Sequence, residues 1–356
     1  MYPVPEATEQ AMASKDQLSP EMTRLADEVE SHGIDADEVR WLREEVFADG
    51  VVSHDEAMLL FYLNEHTALG NDDSWYDFFV EALSSYFITQ QEPVGYLSEE
   101  DAAFLVAEIT HDGRIDAVSE FGLLVNVVYR SRACPESVVA LTLEGVRETV
   151  LGSGGVLFGP KRRRAGVIDP PEVDVIRTVV FASGSGGGLT ITRREAELLF
   201  ELNTKTSDAD NAPGWQTLFV QAVGHHLMFP DGAAEVPDRE EAARRQAWLE
   251  ERRGVGHFMK DFAKGLNRFI SRGQVTPGWL KRHQRLAAVK RQGKEAPQED
   301  VYARSSVDAE EAAWLIAQIK QDGALDDNER ALLGHIRATA TDIDVALEPL
   351  LSEAGE

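Results

Sequence analysis

Apolar residues recur at three- and four-residue spacings along most of this chain. Val39, Leu42 and Val46 make one such stripe, and Met58, Leu59, Tyr62 and Leu63 make another. Phe104, Leu105 and Ile109 form a third, answered late in the chain by Trp314, Leu315 and Ile319. That period puts apolar side chains on one face of an α-helix. No sustained two-residue alternation of the strand type appears. Val125 to Tyr129 is rich in β-branched residues, but no turn signal separates it from Phe121, Leu123 and Leu124, so it reads as helix. The expected fold class is all-α.

The pattern occurs twice. Ile34-Asp35-Ala36-Asp37-Glu38-Val39 is answered by Ile168-Asp169-Pro170-Pro171-Glu172-Val173. Glu56-Ala57-Met58-Leu59-Leu60-Phe61-Tyr62-Leu63-Asn64 is answered by Glu195-Ala196-Glu197-Leu198-Leu199-Phe200-Glu201-Leu202-Asn203. Trp75 with Phe79 and Ala82 returns as Trp215 with Phe219 and Ala222. A second unit repeats more loosely: Glu100-Asp101-Ala102-Ala103-Phe104-Leu105 returns as Glu310-Glu311-Ala312-Ala313-Trp314-Leu315. The expected layout is therefore two duplicated domains of helical hairpins. The first spans residues 1–151, a Gly- and Arg-containing linker follows over 152–167, and the second spans 168–356 with an insertion at 230–306.

Helix starts are marked by a short oxygen-bearing residue with a carboxylate three positions on. Asp35 and Glu38, Ser53 and Glu56, Asp169 and Glu172, Thr192 and Glu195, and Asp326 and Glu329 all fit. Ser98 with Asp101 and Asp308 with Glu311 do so as well. The first oxygen takes an orphan amide of the opening turn and the carboxylate reaches back. Pro170 falls at a first helical position, where its missing amide hydrogen costs nothing.

Each unit also carries a glycine-containing turn before an acidic helix: Asp49-Gly50, Asp112-Gly113, Ser183-Gly184 and Asp322-Gly323. Hard cations such as Ca²⁺ take several oxygen ligands around a sharp glycine turn, with a closing glutamate. If such an ion binds, its ligands are expected among Glu45, Asp49 and Glu56 in the first unit and Glu108, Asp112, Asp116 and Glu120 in the second. EF-hand spacing fails, since its third position falls on Phe47 in one copy and on Lys320 in another. The alternative needs no metal: the glycine ends a helix in the left-handed conformation, and the Ser–Glu or Asp–Glu pair caps the next one.

The run Asp-Gly-x-hydrophobic-[Ser/Asp]-x-x-Glu followed by Leu-Leu resembles the tellurite-resistance TerB-like family. The residues that carry the likeness are Asp49, Gly50, Ser53, Glu56, Leu59 and Leu60, and then Asp322, Gly323, Asp326, Glu329, Leu332 and Leu333. The all-helical domain of that family is also found at the N-terminus of some DnaJ-like membrane co-chaperones. The resemblance implies an acidic, metal-associated domain in stress-response assemblies, and the leading expectation is a non-catalytic stress-response or scaffold protein of that type.

Charge sharpens the picture. A formal charge of −27 disfavours general binding to nucleic acid or anionic lipid. Residues 239–294 run against that trend, with Arg244-Arg245, Arg252-Arg253, Lys281-Arg282 and Lys290-Arg291. Within them Phe258, Phe262 and Phe269 follow helical spacing, while Lys260, Lys264 and Arg268 share another face. Three destinations fit this basic amphipathic helix. It can pack on the acidic body, dock on an acidic protein partner, or lie on an anionic membrane or nucleic acid. The partner reading makes the chain an interaction adaptor.

The lone Cys134 excludes an intramolecular disulfide. With no leader pattern and no apolar run near the ~20 residues that span a bilayer, it points to the cytoplasm. Catalytic motifs are weak. Neighbouring His225 and His226 would point about 100° apart on a helix; with Ser84-Ser85 taken as their counterpart, they read as a surface pair. Gly154 to Lys161 lacks the Lys-Ser/Thr ending of a phosphate loop.

Overall fold

The computed structural model describes residues 20–29, 33–46, 50–66, 71–90, 95–111, 114–115, 117–152, 165–182, 191–228, 305–320 and 325–355. They fall into two compact units, the first ending at residue 145 and the second beginning at 146. Both are built almost entirely from helices.

The first unit contains α1 (Pro20–Val29), α2 (Ala36–Trp41), α3 (His54–His66), α4 (Asp73–Ser84), α5 (Glu99–Ile109) and α6 (Val118–Arg130). Wider π-helical turns at Leu42–Val46 and Ser85–Thr89 follow α2 and α4. Helix α7 (Glu136–Leu151) is divided between the units at Gly145. The second unit contains α8 (Pro170–Val180), α9 (Arg193–Lys205), α10 (Pro213–Met228), α11 (Ala309–Ile319), α12 (Asp327–Thr339) and α13 (Glu348–Ala354). Val125 to Tyr129 lies inside α6, as its context indicates.

One departure from pure helix is a two-residue parallel pair, β1 (Ser306–Val307) with β2 (Asp342–Ile343). It was illegible in the sequence because two residues cannot show an alternation. The first unit has a parallel bridge between Tyr96 and Ala133 in the corresponding place, before α5 and after α6.

The cap signals turn into bonds. Asp35–Glu38, Ser53–Glu56, Thr192–Glu195 and Asp326–Glu329 each close a reciprocal capping box. At Ala117 half the box survives: the amide donates to Glu120 Oε2 at 3.1 Å, although alanine has no oxygen to return. Each such cap supplies partners for amides that the helix itself cannot satisfy.

The cores are aromatic. Phe61 meets Phe79 edge-on at 5.7 Å and Phe104 at 5.8 Å. In the second unit Phe200 meets Phe219 at 5.1 Å and Trp314 at 5.5 Å, again edge-on. Helix α4 packs on α6, and α10 packs on α12. Glycine permits the close approach in each case: a side chain at Gly122 would collide with the Tyr76 phenol, and a Cβ at Gly224 would sit 2.8 Å from His335 Cδ2.

Within each core lies one buried asparagine. Asn64 Oδ1 accepts from Trp75 Nε1 at 3.1 Å and Ser119 Oγ at 2.6 Å, and its amide donates to Glu120 Oε1 at 3.3 Å. Asn203 Oδ1 accepts from Trp215 Nε1 at 3.3 Å and Asn328 Nδ2 at 2.7 Å, and its amide donates to Asp326 Oδ2 at 2.6 Å. A buried amide left unpaired is costly, so a fully paired one fixes a single arrangement of the helices that carry its partners. Asn64→Ala strands the indole N–H and the serine hydroxyl. It is expected to destabilise the first unit by about 2 to 4 kcal/mol. Arg40→Ala, at an exposed ion pair with Asp37, should cost about 0.5 kcal/mol or less; urea unfolding of both variants measures the difference.

Candidate functional site

The acidic turns are the first place to look. Glu56 Oε2 is held by the Ser53 amide at 2.7 Å, and both oxygens of Glu120 are engaged by Ala117 and Asn64. Glu108 is buried at the end of α5. Asp49, Asp112, Asp116 and the Glu45 side chain lie outside the described residues. So do Phe258, Lys260, Phe262, Lys264, Arg268 and Phe269 of the basic segment. Among the described residues no three His, Cys, Asp or Glu side chains converge as a metal-binding group. Gly50 has φ +71°, the left-handed conformation expected where a helix ends.

Near the second turn, Glu65 and His111 meet. Glu65 Oε1 lies 2.9 Å from His111 Nε2, and His111 Nδ1 lies 3.1 Å from the Glu108 carbonyl. Tyr62 stacks on His66 at 4.0 Å, and His66 Nδ1 donates to the Tyr62 carbonyl. These contacts tie the ends of α3 and α5 together at the surface, where Glu65 and His66 remain exposed.

A denser cluster joins α9, α10 and α11. Its starting point is the loop residue Ile191, whose side chain is buried and whose carbonyl accepts from His226 Nδ1 at 2.8 Å. In the first unit Val52 occupies that place, and the Gln90 amide clamps it from both sides, at 2.9 Å and 2.8 Å. Beyond His226 stands Glu311. Its position three residues after Asp308 predicted a capping role, and Asp308 does receive the amides of Glu310 and Glu311. The Glu311 carboxylate itself reaches elsewhere: Oε1 lies 3.3 Å from Arg193 Nη2, and Oε2 lies 3.7 Å from His226 Nε2. Trp314 closes the group. Arg193 lies over its face at 4.7 Å, and the His226 ring meets its edge at 5.1 Å.

Two sequence expectations are corrected here. His226 is 6 % exposed, so the histidine pair is not a surface pair; only His225 is half-buried. The counterparts were also set one residue out of register. Counting from Trp75 and Trp215, His225 matches Ser85 and His226 matches Tyr86. Tyr86 does related work, with its hydroxyl 3.0 Å from His54 Nδ1, and His54 packs on Phe104 at 4.9 Å. The signal was available: aligned on the tryptophans, a polar-aromatic residue stands at this place in both halves.

Electrostatics follow burial. Desolvation is the largest influence on His226 and holds its pKa below the ordinary histidine value; Arg193 adds to this, while the Ile191 carbonyl and Glu197 oppose it. Burial lowers His335 as well. The Cys134 thiol is pushed up to about 12 by burial, which makes it a poor nucleophile. Asp77 on α4 is raised to about 6, by burial first and then by Glu81 and Asp73, with Arg43 opposing. No family model matches this sequence, and no curated protein or solved structure matches it. Among the described residues no helix is long and apolar enough to cross a membrane.

The two histidines give a sign for acid sensitivity. Their folded pKa values are depressed, so the unfolded chain binds protons that the folded chain refuses. The stability they confer is present above the unfolded value near 6.5 and is lost as pH falls toward the lower folded values. The urea midpoint of the second unit is expected to be lower at about pH 5 than at about pH 7. In the double variant His226→Gln/His335→Gln that difference should shrink.

Proposed function

We propose that this chain is a non-catalytic scaffold of TerB-like type, made of two copies of one helical module, that engages a protein partner through residues 239–294. The observation that carries the reading is the use of the acidic turn residues. Glu56, Glu120, Glu195 and Glu329 each bond back to the start of their own helix. Carboxylates held in this way build the hairpins and are not arranged around a reacting centre. The copy reading is supported by the matched asparagine–tryptophan pairs and by the parallel bridges in both units. The partner reading is supported by charge: a chain of −27 carries one strongly basic stretch with an apolar seam.

Divalent cation binding at the acidic turns is the second reading, favoured by Glu108, which is buried yet lies four residues before Asp112. One pair of experiments separates the two. Deletion of residues 239–294 from the full chain is expected to abolish capture of its partner from cytoplasmic extract, with circular dichroism and melting unchanged. Capture that survives the deletion overturns the adaptor assignment. Calorimetric titration with Ca²⁺ tests the other: heat lost in Asp112→Ala and kept in Glu195→Gln supports the site, and silence at about millimolar Ca²⁺ removes it.

A further inference from the structure

We propose that His226 and Glu311 form a proton-operated clasp between α10 and α11, the two helices between which residues 229–304 are inserted. Both side chains are buried, at 6 % and 5 % exposed. Nδ1 of His226 is committed, because a carbonyl oxygen can only accept, so this nitrogen carries its hydrogen in either charge state. Among the described residues Nε2 has no hydrogen-bond partner, and it lies 3.7 Å from Glu311 Oε2. With the imidazole neutral, a lone pair faces a carboxylate and neither atom donates. A proton on Nε2 turns the same geometry into a charge-assisted bond, whose usual length is about 2.8 Å. The pair then closes, drawing the first turn of α11 toward the end of α10.

The surroundings set the working range. From α9, Arg193 holds the other oxygen of Glu311 and resists a second positive charge, while Glu197 favours it. Among the described residues, Glu195 in the first turn of α9, His225 on α10 itself and His335 on α12 are further ionisable groups at this end of α10. Burial dominates, so the imidazole is neutral at neutral pH and charges below the ordinary histidine range. The first unit lacks both the insertion and this pair: Tyr86 stands in the histidine's place and faces His54. The clasp is thus confined to the unit whose helices carry the extra segment, and it operates whatever that segment binds.

The test is a histidine-selective ¹H–¹⁵N NMR titration of the full-length protein between about pH 5 and 8. His226 is expected as the Nδ1–H tautomer at neutral pH, gaining its proton on Nε2. Glu311→Gln should weaken that proton's binding about tenfold, and Arg193→Gln should strengthen it. The Glu311 side-chain carboxylate ¹³C resonance should move over the same pH range in which His226 gains its proton. An Nε2–H tautomer at neutral pH overturns the clasp, as does equal proton affinity in wild type and Glu311→Gln. Should Glu311→Gln fail to fold, the Arg193→Gln titration decides alone: unchanged or weaker proton binding there is equally fatal.

Discussion

A single amide buried among aromatic rings governs each half of this protein. Asn64 and Asn203 are buried, so the polar atoms they carry must find partners inside. Those partners come from two other helices, the second of the first hairpin and one from the hairpin that follows, so three helices meet at each amide. Apolar packing alone would tolerate sliding of one helix on another. Directional bonds to an indole and to a helix N-terminus do not, so the amide sets the register into which Phe61, Phe79 and their counterparts then pack. The capping boxes act at the next level. They fix where α3, α9 and α12 begin, and hence the height at which each helix meets the knot.

Much of this was legible in the chain and some was not, for physical reasons. Helices and their starts were readable because the three- to four-residue period and the cap pairs are local. Asn64 and Asn203 were visible as polar residues ending matched apolar runs, but their role depends on Ser119 and Asn328, more than fifty residues away. Asn71 and Asn211 passed unnoticed for the same reason; each accepts from the amide of the isoleucine that opens its half. The acidic turns were open to two interpretations because cap chemistry and cation chemistry use the same oxygens.

The histidine cluster was the harder case. A small register slip moved His226 onto a serine, and a residue matched to serine looks like surface. Glu311 was masked by its spacing, since three residues after Asp308 is also where a capping carboxylate belongs. Only the helix-to-helix arrangement turns it toward Arg193. Local rules therefore located the residue and misassigned its work, an outcome typical of positions where a tertiary contact outcompetes a cap.

The small parallel pair of strands has a consequence for the evolution of the chain. Ser306 and Val307 are held by Asp342 and Ile343, and β1 also touches α10, so the chain is anchored on both sides of residues 229–304 by the body of the unit. When both ends of a connection are fixed independently of what lies between, its length enters stability only logarithmically, at about 0.6 kcal/mol per doubling. The junction is thus a permissive port, where segments of very different size can be gained, traded or lost while the surrounding helices keep their places.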